Sequence, residues 1–344
     1  MILVYINLIY YLAFYLFLSK IKKKYILIIL GLFPLFMALA FQNAIGTDYY
    51  SYIAIFHKKV PFRSEKGVLF KLIVDFLKIA INHERSLFVV TAFIQMFLFY
   101  KIILKMYIMN LIKNIPLFIF ITISWSQFYI QMFNILRNSI AGLFINLGIL
   151  FLLENKKVKT AFIIFIGSLF HPSVIIWEFL IFIKNLFIKK INVLFFIIYW
   201  SFCIFLENID FIRKICQILY ESNLSFRYKG YLVSKDMFLR EKTLGITILA
   251  LFIIFIFSFF YYIKEKNKNK LFFYNMGYLS FGLSILFKNI PILSRILYPF
   301  FIYQTYIVYI VLLKLINKKY FYIGFLLIFF GVIYYLRGIY YIMP

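Results

Sequence analysis

The stretch SLFVVTAFIQMFLFYKIIL, residues 86–104, decides the class of fold that this chain adopts. It is an apolar run of about the length that a helix needs to cross roughly 30 Å of hydrocarbon. Similar runs recur along the whole chain and are broken by short charged clusters. Because 65% of the 344 residues are hydrophobic and 23% are aromatic, one soluble core cannot bury this apolar surface. The sequence therefore predicts an all-α, polytopic integral membrane protein.

The distribution of lysine predicts the topology. A net charge of +26 would suggest a nucleic-acid partner in a soluble protein, but these lysines are grouped between the apolar runs, as the positive-inside rule expects. We therefore predict no nucleic-acid partner and place all of the lysine clusters in the cytoplasm. The clusters are Lys20–Lys24, Lys101–Lys113, Lys156–Lys159, Lys184–Lys190, Lys264–Lys270 and Lys314–Lys319. The roughly twelve predicted transmembrane helices are 2–19, 25–42, 86–104, 115–133, 138–154, 160–171, 173–188, 191–207, 243–263, 271–287, 296–313 and 320–336.

This topology makes residues 1–344 a single transmembrane domain with two longer outer segments, 43–85 and 208–242, and with both termini outside. Within the first segment, one helical face is apolar and the opposite face is polar. The apolar positions are Leu69, Phe70, Leu72, Ile73, Phe76, Leu77, Ala80 and Ile81, and the polar positions are Lys71, Asp75, Lys78 and Asn82. The pattern predicts an external amphipathic helix lying in the membrane interface.

The sequence predicts no metal, cofactor or nucleotide site. Cys203 falls in a predicted span and Cys216 in an outer loop, while His57, His83 and His171 are far apart in sequence. Neither a GxGxxG motif nor a P-loop occurs.

Arginine is distributed differently from lysine. All eight arginines lie outside the predicted cytoplasmic clusters: Arg63, Arg85, Arg137, Arg213, Arg227, Arg240, Arg295 and Arg337. A guanidinium presents a fork of donors that fits phosphate and carboxylate oxygens. The pattern predicts an outer face that holds an anion; the alternative is that some arginines pair with local acids or lipid headgroups.

Two further patterns point to a polar cavity at this side. Ser124, Gln127, Gln131, Asn134 and Asn138 are spaced three or four residues apart, so on a continuous helix they share one face that leads to Arg137. Such a stripe lines a cavity or forms hydrogen bonds between helices, and both interpretations stay open. His171 precedes Pro172, which disfavours helical geometry at the histidine and predicts a break between two short spans. Broken helices at membrane depth commonly line a cavity.

Five strings, taken in order, resemble the EpsG/Wzy-type family of bacterial polysaccharide polymerases. The resemblance covers residues from about 40 to 313. At one point the chain departs from the family pattern, since Gln42 and Asn43 stand where an arginine is expected before the GTDY string. The strings are IGTDYYSY (45–52), SEKGVLFKLI (64–73), LRNSIAGLFINLGILFLLENKKVKTAFIIFIGSLFHPSVII (136–176), FRYKGYL (226–232) and SRILYPF (294–300).

The resemblance implies an integral-membrane glycosyltransferase, similar in plan to GT-C enzymes and O-antigen ligases. Such enzymes join repeat units carried on undecaprenyl pyrophosphate at the outer side of the inner, or cytoplasmic, membrane. Donor and acceptor are then both lipid-linked oligosaccharides, and a flippase and a chain-length regulator are implied as protein partners. The family's polar residues correspond here to Asp48, Tyr49, Tyr52, Glu65, Arg137, His171, Arg227, Tyr228 and Arg295.

The residue chemistry leads to a similar expectation. Without a nucleotide motif, an activated donor must arrive on a lipid, and Arg137 and Arg295 are the candidates to stabilise a pyrophosphate leaving group. Asp48, Glu65 and His171 are the candidate bases; His171 is favoured because an imidazole has an ordinary pKa of about 6.5, and Asp48 is expected to orient the acceptor. The residues expected to bind substrate are Tyr49, Tyr52, Glu65, Gln131, Asn134, Asn138, Arg227 and Tyr228, with the tyrosines stacking on sugar rings.

Three alternatives stay open: a glycan transferase similar to O-antigen ligases, a lipid-linked oligosaccharide flippase and a membrane O-acyltransferase. A lipid-linked oligosaccharide flippase would also be apolar and cationic, but transporters often show two related halves, which this sequence lacks. A membrane O-acyltransferase would need prominent polar residues on the cytoplasmic side to take up its acyl donor. The family resemblance favours a polymerase over these alternatives, because a shared fold makes a function more probable but does not establish it.

Overall fold

The computed structural model describes residues 23–46, 48–58, 67–125, 127–212, 214–215, 218, 246–287, 295, 297–316, 324, 327–328 and 330–333. Every element in these residues is a helix, and no strand occurs among them, so the predicted all-α class is confirmed. The chain divides into two compact units. Unit 1 is Met1–Asn185 with Leu312–Pro344, and unit 2 is Leu186–Val311.

Unit 1 is a bundle in which α4 and α7 are the longest apolar helices. Its helices are α1 Lys24–Ala40, α2 Tyr49–Phe56, α3 Val68–Ala80, α4 Arg85–Ile108, α5 Ile115–Ser124, α6 Gln127–Asn134, α7 Leu136–Leu153, α8 Lys157–Phe170, a 3₁₀ helix Pro172–Phe179 and α9 Leu180–Phe187, whose end passes into unit 2. Helix α4 packs against α1 and α7, and α7 packs against α8.

Side-chain contacts fix the directions of these packed helices. Gln95 Nε2 donates to Ser139 Oγ at 2.8 Å, and Lys105 Nζ contacts Glu154 Oε1 at 2.5 Å, so α4 and α7 run parallel. Helix α8 runs antiparallel to α7, because the Thr160 hydroxyl near its start donates to the carbonyl of Gly148 at 3.1 Å, whereas Gly167 near its end faces Ala141. This arrangement sets the C-terminus of α8 level with the N-terminus of α7.

Unit 2 is built on packed aromatic and polar side chains. Its helices are α10 Val193–Asn208, α11 Ile246–Tyr262, α12 Lys268–Leu286, a 3₁₀ helix Tyr298–Phe300 and α13 Phe301–Ile316, which ends in unit 1. Trp200 Nε1 donates to the carbonyl of Tyr278 at 2.9 Å, and the hydroxyls of Ser258 and Tyr278 lie 2.7 Å apart. These bonds satisfy polar groups that packing removes from solvent.

Asparagine side chains cap the N-termini of three helices. The Asn114 side chain accepts from the backbone N–H of Leu117 at 3.0 Å, and Pro116 follows in the first turn of α5. Asn192 and Asn267 cap α10 and α12 in the same way. Each cap satisfies a backbone donor that has no partner within its own helix.

Fewer membrane spans are found than the sequence predicts. By length and apolarity, three helices can cross a membrane: Arg85–Ile108, Leu136–Leu153 and Tyr298–Ile316. A fourth is obtained if Ile115–Ser124 and Phe128–Asn134, which are bent by 58°, form one broken span. The described residues therefore support three or four spans, and the count of twelve is not confirmed.

The bend between α5 and α6 interrupts the polar stripe that the sequence predicts from Ser124 to Asn138. Helix α5 ends at Ser124, whose hydroxyl donates to the carbonyl of Phe120 at 2.9 Å, and a second interruption follows at Ile135 before α7. The predicted positions from Ser124 to Asn138 thus occupy three helices and do not share one helical face. Because that face requires a continuous helix, the prediction of a single stripe is wrong.

Helix α3 confirms the predicted helix in the segment 43–85, but its apolar face is divided. Phe70, Val74 and Leu77 are buried, whereas Phe76 and Ile79 are 67% and 88% exposed. The buried positions pack against protein, since α3 contacts α2, α4 and α8. The exposed strip is the part available to an interfacial lipid layer, and that location stays a prediction.

Candidate functional site

A tyrosine and an arginine form the centre of the candidate site in unit 1. The buried hydroxyl of Tyr52 is hydrogen-bonded to the guanidinium and to the backbone N–H of Arg137. The guanidinium carbon lies 5.7 Å from the centre of the Phe70 ring, which is itself 5.7 Å from the ring of Tyr52. The arginine is thereby held between a hydroxyl and an aromatic ring. We use the name Arg137 cluster for Asp48, Tyr52, Phe70, Asn134 and Arg137.

The position of Arg137 follows from the start of α7. Arg137 is the second residue of the helix, where backbone N–H groups have no acceptor within the helix. The Tyr52 oxygen accepts from one of these groups and from the guanidinium at the same time. A helix N-terminus carries partial positive charge, so the backbone and the side chain of this turn both favour an anion.

Helix α2 presents Tyr52 inward because of its periodicity. Tyr49, Tyr52 and Phe56 are spaced three and four residues apart and are buried, while Tyr50 is 63% exposed. Asp48 stands immediately before this helix and is partly exposed. Its carboxylate is close enough to Tyr52 to influence the ionisation of that hydroxyl.

Burial raises the pKa of Tyr52 above its ordinary value, and the Asp48 carboxylate raises it further, against the opposing effect of Arg137. The hydroxyl therefore keeps its proton at neutral pH. The neutral Tyr52 hydroxyl holds the guanidinium in place. No phenolate charge forms there to neutralise Arg137.

Gly46 allows the segment before α2 to approach α6. Its φ of 91° lies in the left-handed region, and a Cβ at this position would collide with Asn134 Oδ1 and come close to the carbonyl of Phe133. The contact brings Asn134 beside the turn that carries Asp48. The sequence shows the glycine, but it does not show which helix the glycine meets.

Gly67 makes a similar approach at the end of α8. Its φ is 150°, and a Cβ there would collide with the carbonyl of Phe170, the residue before His171. The start of α3, which carries Phe70, is thus seated against the residues next to the histidine. This contact links the Arg137 cluster to the break at His171.

The predicted break at His171 is confirmed. Helix α8 ends at Phe170, and His171 is extended, with φ −148° and ψ 110°, before the 3₁₀ helix begins at Pro172. In the antiparallel pair of α7 and α8, Gly167 faces Ala141 and Phe144. Continuing this register by one helical turn sets partly exposed His171 level with Arg137.

The rings of Tyr49 and Tyr52 were predicted to stack on sugars, but the structure buries both of them against protein. Tyr49 stacks on Phe88 at 4.9 Å, and its hydroxyl donates to Asn43 Oδ1 at 3.3 Å. Both tyrosines are nearly fully buried, so stacking on a sugar would require them to leave these contacts and stays a prediction. Tyr50 was not among the predicted site residues, although helical periodicity identifies it as the exposed ring of α2.

The other predicted site residues are not brought into this cluster by the described contacts. Gln131 is partly exposed on α6, and Asn138 is buried in the first turn of α7. Arg295 is partly exposed and belongs to unit 2, where its predicted role is untested. Glu65, Arg227 and Tyr228 lie outside the described residues. Within the described ranges, no three His, Cys, Asp or Glu side chains are grouped as a metal site requires.

Charged residues separate along unit 1. Arg85, at the start of α4, and Arg137 lie at the end that holds the cluster. The opposite end, which we call the lysine end, holds Lys105 beside Glu154, and Lys24 beside Tyr107. Among the described residues of unit 1, both arginines lie at the cluster end and none at the lysine end, whereas Lys58 and Lys71 share the cluster end.

Comparison with known proteins gives one family. The EpsG family matches residues 24–343. No curated protein and no solved structure matches the chain.

Proposed function

Because the chain belongs to the EpsG family of Wzy-type polysaccharide polymerases, we propose that it polymerises lipid-linked oligosaccharide repeat units by glycosyl transfer. The family and the apolar helices identify it as a membrane protein of the polysaccharide-polymerase type. The proposed substrates are a donor and an acceptor carried on undecaprenyl pyrophosphate. A flippase that delivers them and a chain-length regulator are the proposed protein partners.

The proposed reaction is a substitution at the anomeric carbon of the donor. A hydroxyl oxygen of the acceptor sugar forms the new glycosidic bond as the bond to the pyrophosphate oxygen breaks. The pyrophosphate leaves with the bonding electron pair, and the hydroxyl proton passes to a general base. The protein therefore has to stabilise developing negative charge on phosphate and to accept one proton.

The fixed guanidinium of Arg137 is the main support for the phosphate part of this proposal. Tyr52 and Phe70 hold it from two sides, so little reorganisation is needed when charge develops on the leaving group. The N–H groups of the same helical turn add their partial positive charge. We propose that these groups bind the pyrophosphate without a metal ion.

His171 and Asp48 divide the remaining roles in our proposal. An imidazole with an ordinary pKa of about 6.5 is suited to take the hydroxyl proton near neutral pH. A carboxylate near Arg137 is a weaker base, because the positive charge favours its ionised form. Asp48 is therefore proposed to orient the acceptor sugar, with exposed Tyr50 available to contact its ring.

The proposed side of action is the outer face of the inner membrane. The positive-inside rule places the lysine end of unit 1 in the cytoplasm, so the Arg137 cluster would face outward. An outward site suits a donor that is already activated on a lipid.

The test is surface polysaccharide from a deletion strain, analysed on gels. Single repeat units transferred to the final carrier, without longer chains, are expected if polymerisation is lost. Absence of any externally accessible unit would indicate a flippase and overturn the proposal.

Complementation of the same strain tests the site. Arg137→Lys keeps the charge but loses the donor fork, and it should slow polymerisation by about two to three decades. Arg85→Lys, the same exchange at an exposed position of the same end, is the control and should restore wild-type ladders. Wild-type chain lengths with Arg137→Lys at matched protein levels would refute the assignment.

A further inference from the structure

The turn between α7 and α8 concentrates positive charge at the lysine end of unit 1. Its one acid, Glu154, contacts Lys105 at 2.5 Å and Lys156 at 2.9 Å. Burial alone would raise the pKa of Glu154, but the hydrogen bonds from Lys105 and Lys156 outweigh burial and lower it. The carboxylate is thus ionised and already matched by two ammonium groups.

The next lysines have no such acidic partner. Lys157 and Lys159 are exposed, and neither forms an ion pair with an acid in the described part of the chain. Lys159 lies 4.1 Å from the centre of the Phe151 ring, and Lys157 is close enough to Lys184 for their charges to repel. An anion at this turn would relieve that repulsion.

The geometry of the turn is fixed by Lys184. Its Nζ donates to the carbonyl of Leu152 at 2.9 Å and to Asn155 Oδ1 at 2.6 Å, and Asn155 adopts a left-handed conformation with φ 64°. The last turn of α7 and the loop residue Asn155 are therefore both tied to α9. The lysines that follow are presented from a defined backbone.

A shallow, open cleft lies at the same place, and most of its lining surface is apolar. Val158 and Phe162, which line it, are 85% and 63% exposed, and Phe165 continues the strip one turn further at 49%. Positions 158, 162 and 165 share one face of α8. The lining residues are Asn155, Lys156, Lys157, Val158, Lys159 and Phe162.

We propose that this cleft binds an anionic phospholipid. The phosphate contacts Lys157 and Lys159, and the acyl chains lie along Val158, Phe162 and Phe165. The cleft stands where α7, a helix able to cross the membrane, ends at Leu153. Its apolar strip lies on α8, which runs back along α7, so the strip faces the same apolar layer as that span. A soluble anion would use the lysines but leave the apolar strip uncovered, which favours a lipid as the occupant.

Native mass spectrometry of the full-length protein tests this site. The protein is titrated with phosphatidylglycerol or with phosphatidylcholine of the same chain length. Wild type should retain phosphatidylglycerol preferentially, and the double variant Lys157→Gln/Lys159→Gln should bind it about 10- to 30-fold more weakly, with phosphatidylcholine unaffected. Equal retention of the two lipids by wild type would overturn the proposal.

Two matched variants separate a site from a general charge effect. Lys266→Gln/Lys268→Gln removes the same charge from exposed positions beside another turn, and it should leave phosphatidylglycerol binding unchanged. An equal loss in both double variants would mean a diffuse attraction and would refute the site.

Val158→Ser/Phe162→Ser should weaken phosphatidylglycerol binding although every charge is kept. Unchanged binding in that variant would show that the apolar strip does not contact the lipid, and displacement of the lipid by millimolar inorganic phosphate alone would show that only the phosphate is recognised; either result would overturn the proposed lipid site.

Discussion

At the scale of single residues, Tyr52 defines the geometry of the candidate site. Its sequence neighbours suggest an aromatic wall for sugars, whereas the structure buries the ring and directs the hydroxyl to Arg137. A buried hydroxyl with two donors on it is a strong constraint, because its removal leaves both donors without their acceptor. The guanidinium of Arg137 thus owes its position to a residue on a different helix.

Tyr52→Phe should lower polymerisation while the protein still folds. The variant keeps the ring but leaves the guanidinium free to change rotamer, and we expect kcat/KM to fall about 10- to 100-fold, consistent with a loss of about 1–3 kcal/mol. The measurement is turnover of lipid-linked repeat units by purified protein. Tyr50→Phe keeps the ring that is proposed to contact the sugar and removes only an exposed hydroxyl from the same helix, so it should be nearly silent; equal losses in both variants would contradict the positioning role.

The pH profile of His171→Gln distinguishes the candidate bases. If His171 takes the hydroxyl proton, the variant should lose most of its turnover, together with the limb of the profile that titrates near the ordinary imidazole pKa of about 6.5. Purified protein is assayed across pH beside Asp48→Asn. Near-normal turnover with an unchanged profile in His171→Gln would exclude the histidine as base. Asp48 would then take that role only if Asp48→Asn binds donor but is inactive.

At the scale of elements, short helices assemble the site around the two longer ones. Helix α2 supplies Tyr52 and α3 supplies Phe70, and neither is long enough to cross a membrane. They are seated by Gly46 and Gly67, whose missing side chains let the backbone approach Asn134 and the carbonyl of Phe170. A methyl group added at either glycine would collide with these neighbours, so it would displace the short helix that follows.

Gly67→Ala should displace α3 from the end of α8. The new Cβ would meet the backbone carbonyl of Phe170, which cannot rotate away as a side chain can, and the φ of 150° is strained for alanine. We expect polymerisation to fall at least about tenfold and thermal stability in detergent to decrease, because the strain costs about 1–3 kcal/mol. Ile79→Ala, on the exposed strip of α3, should preserve both quantities. A fully active Gly67→Ala protein would show that the contact does not position the site.

At the scale of the whole molecule, charge separates along unit 1. The parallel packing of α4 and α7 brings Lys105 to Glu154 at one end and leaves Arg85 and Arg137 at the other. Lysine clusters at membrane boundaries set orientation, whereas guanidinium groups suit phosphate binding. Under the proposed function, the lysine end would set the orientation and Arg137 would bind phosphate.

Cysteine labelling tests the orientation of unit 1. In a Cys203→Ala/Cys216→Ser background, an impermeant thiol reagent applied to intact cells should react with Tyr50→Cys and spare Lys157→Cys. Both positions are exposed and lie at opposite ends of the unit, so a difference in reactivity reports sidedness. Both variants should react after the membrane is permeabilised. Labelling of position 157 from outside would reverse the orientation and place the Arg137 cluster in the cytoplasm.

Composition, periodicity and motifs are enough to predict the helical class, the membrane environment, the family and several local features. The break at His171, the helix that contains Phe70 and the sorting of lysine from arginine follow from local rules of proline, periodicity and charge. The side-chain contacts of the site come from tertiary packing. It set Tyr52 on Arg137, Phe70 beside the guanidinium and Gly67 against Phe170, and it divided the polar stripe between three helices. These features depend on how helices distant in sequence pack, and many arrangements satisfy the same apolar pattern, so only the packed chain distinguishes among them.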